Sequence, residues 1–494
     1  MTGKRRDEGP STWPAYVAVA GVAVLPVLEL LAANTDGSLA YGRLIVHGAV
    51  SVAIAVAVLA GFARWRPERA RRTAVLLVPL LWWFFHMPVI NGGLDRYGAD
   101  APDLAAWAIV GAFTVALLLP FRRVRAVQSW VIVVVPLLLV VPIVDLVTTP
   151  ADDTGQAVAP DDGIAESAEL RRPANVWFFL ADGYARADVV EEQTGLDVGP
   201  FVDDLTDRDF VVSAHANANY PVTFLSIAST LSMEYLADDT VPMTSLDPFH
   251  ARMRGDNAVR ASFAALGYAS VHAHSGFLDD MACTDLADLC LGDGAVLTET
   301  DWAFLNKTPL GEVVGQVTGV RRLALTADPE HVVAQVIGAE VGEPYFVFAH
   351  LLAPHQPYVR RADCSLRQDV TFDIGASADP DGYAGAAACL NRQLVAAFDA
   401  ILARDPDAVI VLQGDHGTKF AYEPGQRMPI LSAIRLPEAC RSSVPDDLSS
   451  VNTFRVVFGC LTTAELPLLE NRAYWVEYRE THLTDITTEV WGTG

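Results

Sequence analysis

Five apolar stretches crowd into the first 150 residues, at 14–33, 44–63, 73–90, 104–121 and 127–147. A helix of about 20 residues crosses the hydrocarbon core of a bilayer, so each stretch reads as a transmembrane helix. The first is too long for a signal-peptide core and lacks a small-residue cleavage site, so it reads as a retained span. The connecting segments alternate in charge. Lys4, Arg5 and Arg6 precede the first span; Arg64, Arg66, Arg69, Arg71 and Arg72 fill the second loop; Arg122, Arg123 and Arg125 fill the fourth. The other two loops carry only Arg43, and Arg96 among Asp95, Asp100 and Asp103. Basic loops stay on the cytoplasmic side. The N-terminus is therefore expected inside, and everything after residue 147 outside.

The two parts of the chain differ in charge. Residues 1–150 hold 13 Lys and Arg against 9 Asp and Glu, which leaves 22 against 51 of the chain's 35 and 60 for the remainder. So acidic a domain is a poor partner for nucleic acid. All six cysteines (Cys283, Cys290, Cys364, Cys389, Cys440, Cys460) lie in the second part. An even number on one side of the predicted membrane fits disulfides in an oxidising compartment. Many pairings are open; pairing of sequence neighbours is the expectation. None has the C-x-x-C spacing of a zinc knuckle. Within the spans, Glu29, His47, His86 and Asp145 are ionisable. Glu29 and Asp145 lie near the outer ends, where headgroups or water can reach them, and read as interfacial or packing groups. Trp82 and Trp83 read as interfacial or lipid-facing. Residues 148–172 are polar, Pro- and Gly-containing and without periodicity, and read as a linker between a membrane domain (1–147) and an extracytoplasmic domain (173–494).

Four places in the second part combine a short apolar run with a polar residue at its end. Val176 to Leu180 reads as a buried strand, with Asp182 and Gly183 just beyond it. Val409 to Leu412 reads the same way, followed by Gly414, Asp415, His416 and Gly417. Open α/β sheets bind ligands beyond the carboxyl ends of their strands. Carboxylates and an imidazole gathered there can share a metal ion. Asp-Gly is also an ordinary turn. Tyr345 to Ala349 is a third such strand, followed by His350 and His355 in a Pro-bounded loop; His355 is the candidate contact for an anionic substrate group. A fourth ends near His272 and His274, and His274 is the better site candidate of the pair. Thr223 follows Tyr220-Pro221-Val222 at the start of a helical pattern marked by Phe224, Ile227, Ala228 and Leu231. It reads either as a helix cap or as a nucleophile. Lys419 and Arg427 are cations close to the Asp-His pair in sequence, and either could pair with an anionic substrate; Arg427 is the substrate-binding candidate, and a solvated surface role is the preferred reading of Lys419.

Taken in order, Asp182-Gly183, Tyr220-Pro-Val-Thr223, Pro354-His-Gln-Pro357 and Asp415-His-Gly417 resemble the alkaline phosphatase/sulfatase superfamily. With five spans ahead of them, they look like its membrane-anchored branch of lipoteichoic acid synthases and lipid A phosphoethanolamine transferases. The resemblance implies a doubly wound α/β domain with a mainly parallel sheet over residues 173–494. It implies one divalent ion, Zn or Mn before Mg or Ca, on Asp182, Thr223, Asp415 and His416. Thr223 would be the nucleophile that becomes covalently modified and His355 the substrate-binding histidine; His350, His274 and Arg427 are further substrate-binding candidates from the residues themselves. The expected function is transfer or hydrolysis of a phosphoryl-type group on an envelope lipid or glycan, by an enzyme of a bacterial-type plasma membrane. Formylglycine sulfatases build their nucleophile from C/S-x-P-x-R. Thr223-Phe-Leu-Ser-Ile stands there, which disfavours sulfuric ester hydrolysis as the alternative. A non-catalytic envelope-assembly protein that kept the fold is the alternative of another class; the spans show no broken helices of a transporter.

Overall fold

The computed structural model describes the chain except residues 1–10, 35–38, 65, 67–68, 91–102, 149–167, 244–245, 276–278, 293–296, 315–327, 340, 368–369, 371–378, 478–479 and 493–494. Lys4, Arg5, Arg6, Arg96 and most of the expected linker fall outside the described residues. The chain divides into two compact units: residues 1–151 with 299–315, and residues 152–298 with 316–494.

The first unit holds helices α1 (Trp13–Ala33), α2 (Tyr41–Ala63), α3 (Arg69–Phe85), α4 (Asp103–Leu118) and α5 (Arg125–Thr148), one at each apolar stretch. α1 is the packing centre, touching α2, α3 and α5. Its buried face is rich in small residues, Ala15, Ala18, Val19, Val22 and Ala23, which lets neighbours approach closely. Outer faces are also apolar: Ile45, Ile54 and Phe62 on α2, Ile109 and Phe113 on α4, and Trp130, Leu137 and Val141 on α5 are exposed. Helices apolar on their exposed side suit a lipid surrounding. By length and composition α1, α2, α5 and the helix Pro380–Arg404 could cross a membrane. The last belongs to the second unit and is half buried in it, so apolarity there serves a protein core.

The segment Glu299–Gly315 packs with these helices. Asp301 bonds Arg43 at 3.0 Å and His47 at 2.7 Å, and Phe304 stacks on His47. Lys307 Nζ lies 2.9 Å from Glu29 Oε2, whose other oxygen is 3.0 Å from His86 Nε2. Glu29, read as an interfacial or packing group, and His47 are thus ion-pair and hydrogen-bond partners of a segment more than 250 residues away. Trp83 stacks on Trp107 and Trp82 on His86, so neither ring is simply lipid-facing.

The second unit is built on a mixed, mostly parallel seven-stranded sheet ordered β2-β7-β6-β1-β5-β3-β4. Its strands are β1 (Val176–Ala181), β2 (Phe210–Val212), β3 (Ala269–Ala273), β4 (Leu289–Leu291), β5 (Tyr345–Leu351), β6 (Val409–Gly414) and β7 (Ser432–Arg435). β7 runs antiparallel to both β2 and β6. β1 lies between β5 and β6 and is buried throughout. Trp177, Phe179 and Ala181 enter one core with Leu394 and Phe398 of the helix Pro380–Arg404. Val176, Phe178 and Leu180 enter the other with Ile227, Phe263 and Phe454. Burial on both faces is why these strands read as unbroken apolar runs rather than alternating ones. Three disulfides, Cys283–Cys290, Cys364–Cys389 and Cys440–Cys460, join sequence neighbours.

Candidate metal centre

Sheet register brings the two acidic motifs together. Ala181 at the end of β1 pairs with Gly414 at the end of β6, so Asp182 and Asp415 emerge side by side one residue later. The backbone N–H of Asp182 donates to Leu351 O of β5 at 2.9 Å, which holds the chain against the neighbouring strand end. Gly183 then turns with φ +72, a backbone conformation that disfavours side chains. Its N–H donates to Asp415 Oδ1 at 2.8 Å, and so does the N–H of His416 at 2.9 Å. Gly414 serves close approach: a Cβ there would sit 2.3 Å from Tyr184 O.

Thr223 opens the helix Thr223–Ser232. Its N-cap is Val222, extended and without a side-chain cap bond, so the Thr223 hydroxyl does not cap the helix. Thr223 Oγ1 lies 3.1 Å from His416 Nε2. One turn on, Ser226 Oγ donates to Asp415 O at 2.6 Å, fixing the helix to the end of β6. His416 Nδ1 lies 2.9 Å from Gly417 O. A proton on Nδ1 serves that bond, which leaves the Nε2 lone pair for the space shared with Thr223 and the two acids.

Asp182, Asp415 and His416 are all buried, and one ligand atom of each lies within 4.8 Å of the others. Among the described residues Asp182 Oδ1 and Asp415 Oδ2 find no hydrogen-bond partner. Burial, reinforced by the nearby Asp182 charge, pushes the Asp415 carboxyl up to about 8. Burial acts on Asp182 in the same sense, but the surrounding histidines outweigh it and hold that carboxyl low. Burial drives His416 well below its ordinary range, which keeps the imidazole neutral. Two acid oxygens without hydrogen-bond partners among the described residues and a neutral imidazole nitrogen, converging in a buried space, are a divalent cation's donor set. The residues fit a metal ion, and Thr223 Oγ1 borders the same space.

The remaining candidates surround this group unequally. His350 Nε2, on β5, lies 3.4 Å from Asp182 Oδ2 and is buried with it. His355 adjoins the centre, its ring centroid 6.5 Å from that of His416. Burial pushes its imidazole down to about 4. Arg427 is buried and donates to Pro221 O at 2.9 Å and Gly417 O at 3.3 Å. It thereby ties the segment before Thr223 to the loop after His416. His274 lies beside the Cys283–Cys290 disulfide, with its ring 6.3 Å from His272. His482 is exposed. Two residues near the centre gave no local sequence signal: Ser226, and Tyr383, whose hydroxyl donates to Gly183 O at 3.0 Å; Lys419, read as a solvated side chain, is half-buried with its Nζ 3.3 Å from His355 Nε2. Each is set by tertiary packing.

Residues 174–435 match the sulfatase family model. That is more than half of the chain, and the protein belongs to the sulfatase family. The solved structures it resembles include the integral membrane lipooligosaccharide phosphoethanolamine transferase A from Neisseria meningitidis, at 10% identity and TM-score 0.45, covering 92% of this chain and 96% of that one. The C-terminal periplasmic domain of EcEptC from Escherichia coli, in complex with Zn, matches at 12% identity and TM-score 0.44, over 67% of this chain and 99% of that one. The phosphonate monoester hydrolase of Agrobacterium radiobacter matches at 14% identity and TM-score 0.39, over 62% and 80%. No curated protein matches by sequence.

Proposed function

We propose that this protein is a membrane-anchored, metal-dependent enzyme that transfers or hydrolyses a phosphoryl-type group on an envelope lipid or glycan through a covalent intermediate at Thr223. The observation that carries the reading is the placement of Thr223 Oγ1 at the rim of the buried Asp182–Asp415–His416 group, 3.1 Å from His416 Nε2. Asp182, Asp415 and His416, with Thr223 Oγ1 as fourth donor, would hold one divalent ion, zinc or manganese. The ion would supply positive charge that lowers the pKa of the Thr223 hydroxyl. The chain's own residues supply the geometry. Ser226 and Arg427 fix the two segments that carry Thr223 and His416.

In the first step Thr223 Oγ bonds to phosphorus and the bond from phosphorus to the departing alcohol oxygen breaks. The hydroxyl proton is released as Thr223 ionises, and the departing oxygen is protonated. In the second step an acceptor hydroxyl, or water, bonds to phosphorus and gives up its proton, while Thr223 regains its hydroxyl. His350 on β5 and His355 in the loop after it would face the incoming group. α1 to α5 would be five membrane spans with their basic loops cytoplasmic, the second unit lying outside. A lipid-borne donor suits a catalytic domain held at a membrane. The sequence Thr223-Phe-Leu-Ser-Ile lacks the sulfatase nucleophile pattern and favours phosphorus over sulfur as the reacting centre.

The test is the intact mass of the peptide containing Thr223 after the purified protein meets a membrane lipid extract. A phosphoryl-type adduct that is absent from Thr223→Ala is the expected result, and its mass identifies the group moved. A sulfuryl adduct would establish the alternative chemistry. An adduct persisting in Thr223→Ala would remove Thr223 as nucleophile. No adduct together with no bound metal would favour a non-catalytic envelope-assembly protein.

A further inference from the structure

We propose that the short helix Pro309–Val314 is a lipid-binding anchor, whose Leu310 and Val313 side chains insert into the outer leaflet of the bilayer that α1 to α5 would span. The inference rests on the reading of those helices as membrane spans. The segment 299–315 leaves the α/β unit and packs with the helical one. Its partners lie at three helix ends. Lys307 reaches Glu29 near the C-terminal end of α1, and Asp301 reaches Arg43 and His47 near the N-terminal end of α2. The N–H of Met87, two residues past α3, donates to Lys307 O at 3.3 Å. The alternation of basic loops assigns all three ends to the outer side, opposite the arginine-rich loops.

These contacts also set a depth. Glu29 stands four residues before the last of α1 and His47 six after the first of α2, about 6 and 9 Å along the helix axes at a rise of about 1.5 Å per residue. An amphipathic helix that lies in a bilayer surface buries its apolar face to a similar depth, about 5–10 Å. Trp82 and Trp83 near the end of α3 and Trp107 near the start of α4 mark the same level, where tryptophans gather between headgroups and hydrocarbon. The segment is also oriented as lipid requires. Its Asp301 and Lys307 side chains turn inward to partners on the helices. Pro309 is buried, and a Cβ on Gly311 would sit 2.9 Å from Leu305 O, so this side of the short helix is pressed against its own segment. Leu310 and Val313, three residues apart and so on one face, are each 47% exposed. Exposed apolar side chains flank the anchoring contacts as well: Ile45 lies between Arg43 and His47, and Val89 lies two residues past Met87. Charges turned inward and apolar groups turned outward are the reverse of a water-facing segment, and a lipid surface is the partner that fits them.

All six cysteines are paired in disulfides, so one added cysteine accepts a nitroxide spin label. The full-length protein is reconstituted into vesicles of phosphatidylethanolamine and phosphatidylglycerol with the label at Leu310→Cys or Val313→Cys. Two further exposed positions serve as references, Ile54→Cys within α2 for the spans and Leu468→Cys in the α/β unit for water. Collision of each label with oxygen, which concentrates in lipid, is compared with collision with a water-soluble nickel chelate. The expected result is an oxygen-to-nickel ratio at 310 and 313 several-fold above that at 468, and a depth shallower than that of 54. Labels at 310 and 313 that meet nickel as readily as 468, while 54 reports lipid, overturn the anchor alone. Labels there that meet neither reagent overturn it too, because a protein surface then covers the helix. A label at 54 that meets nickel as readily as 468 overturns the reading of the spans, and the anchor with it.

Discussion

At the residue scale, Asp415 is where charge and geometry meet. Its carboxyl is pushed up to about 8, chiefly by burial, and a metal ion requires it ionised. Below that value, binding must displace a proton. Zinc affinity should therefore rise about tenfold per pH unit through the neutral range and level off above about 8. A competition titration against a zinc-binding dye at several pH values measures this; an affinity flat from pH 6 to 8 would contradict it. Asp415→Asn should lose the metal in elemental analysis, because the amide removes one of the two negative charges in the group. Asp182, Asp415 and His416 were legible as candidate ligands from their positions after apolar runs, and the structure brings them together. Ser226 and Tyr383 were not, because a serine or tyrosine inside a helix carries no mark of the backbone atom it will meet.

At the element scale, the helix Thr223–Ser232 works as a support for its first residue. The buried Ser226–Asp415 bond joins that helix to the end of β6. Ser226→Ala should cost about 1–3 kcal/mol, since it strands a buried carbonyl, and thermal unfolding in detergent checks this. The same variant should form the Thr223 adduct more slowly while retaining zinc, because the nucleophile loses its register against the metal ligands. The segment Glu299–Gly315 shows the opposite relation between sequence and structure. By sequence position it reads as part of the extracytoplasmic domain, yet it packs with the apolar helices of the first unit through Asp301 and Lys307. Asp301→Ala removes a hydrogen-bond partner of Arg43 and one of His47, at a cost of about 2 kcal/mol. Faster hydrogen exchange confined to residues 299–305 is the expected readout; uniform exchange across the whole protein would show instead that the fold had failed.

At the scale of the whole molecule, the alternating basic loops predict one orientation. Protease added to intact spheroplasts should digest the α/β domain and spare the loop carrying Arg64, Arg66 and Arg69. The reverse pattern would place the metal centre in the cytoplasm. By itself the sequence determined the division into an apolar helical part and an acidic α/β part, the central strands and the residues at their ends. Periodicity, apolar length and charge are local properties, and all of these follow from them. The tertiary structure alone decided that Ala181 pairs with Gly414, that Ser226 and Tyr383 support the centre, that Lys419 turns toward His355, and that residues 299–315 pack with the spans. Each of these depends on strand register or on contacts between distant segments, and no local pattern of residues encodes the partner across the gap.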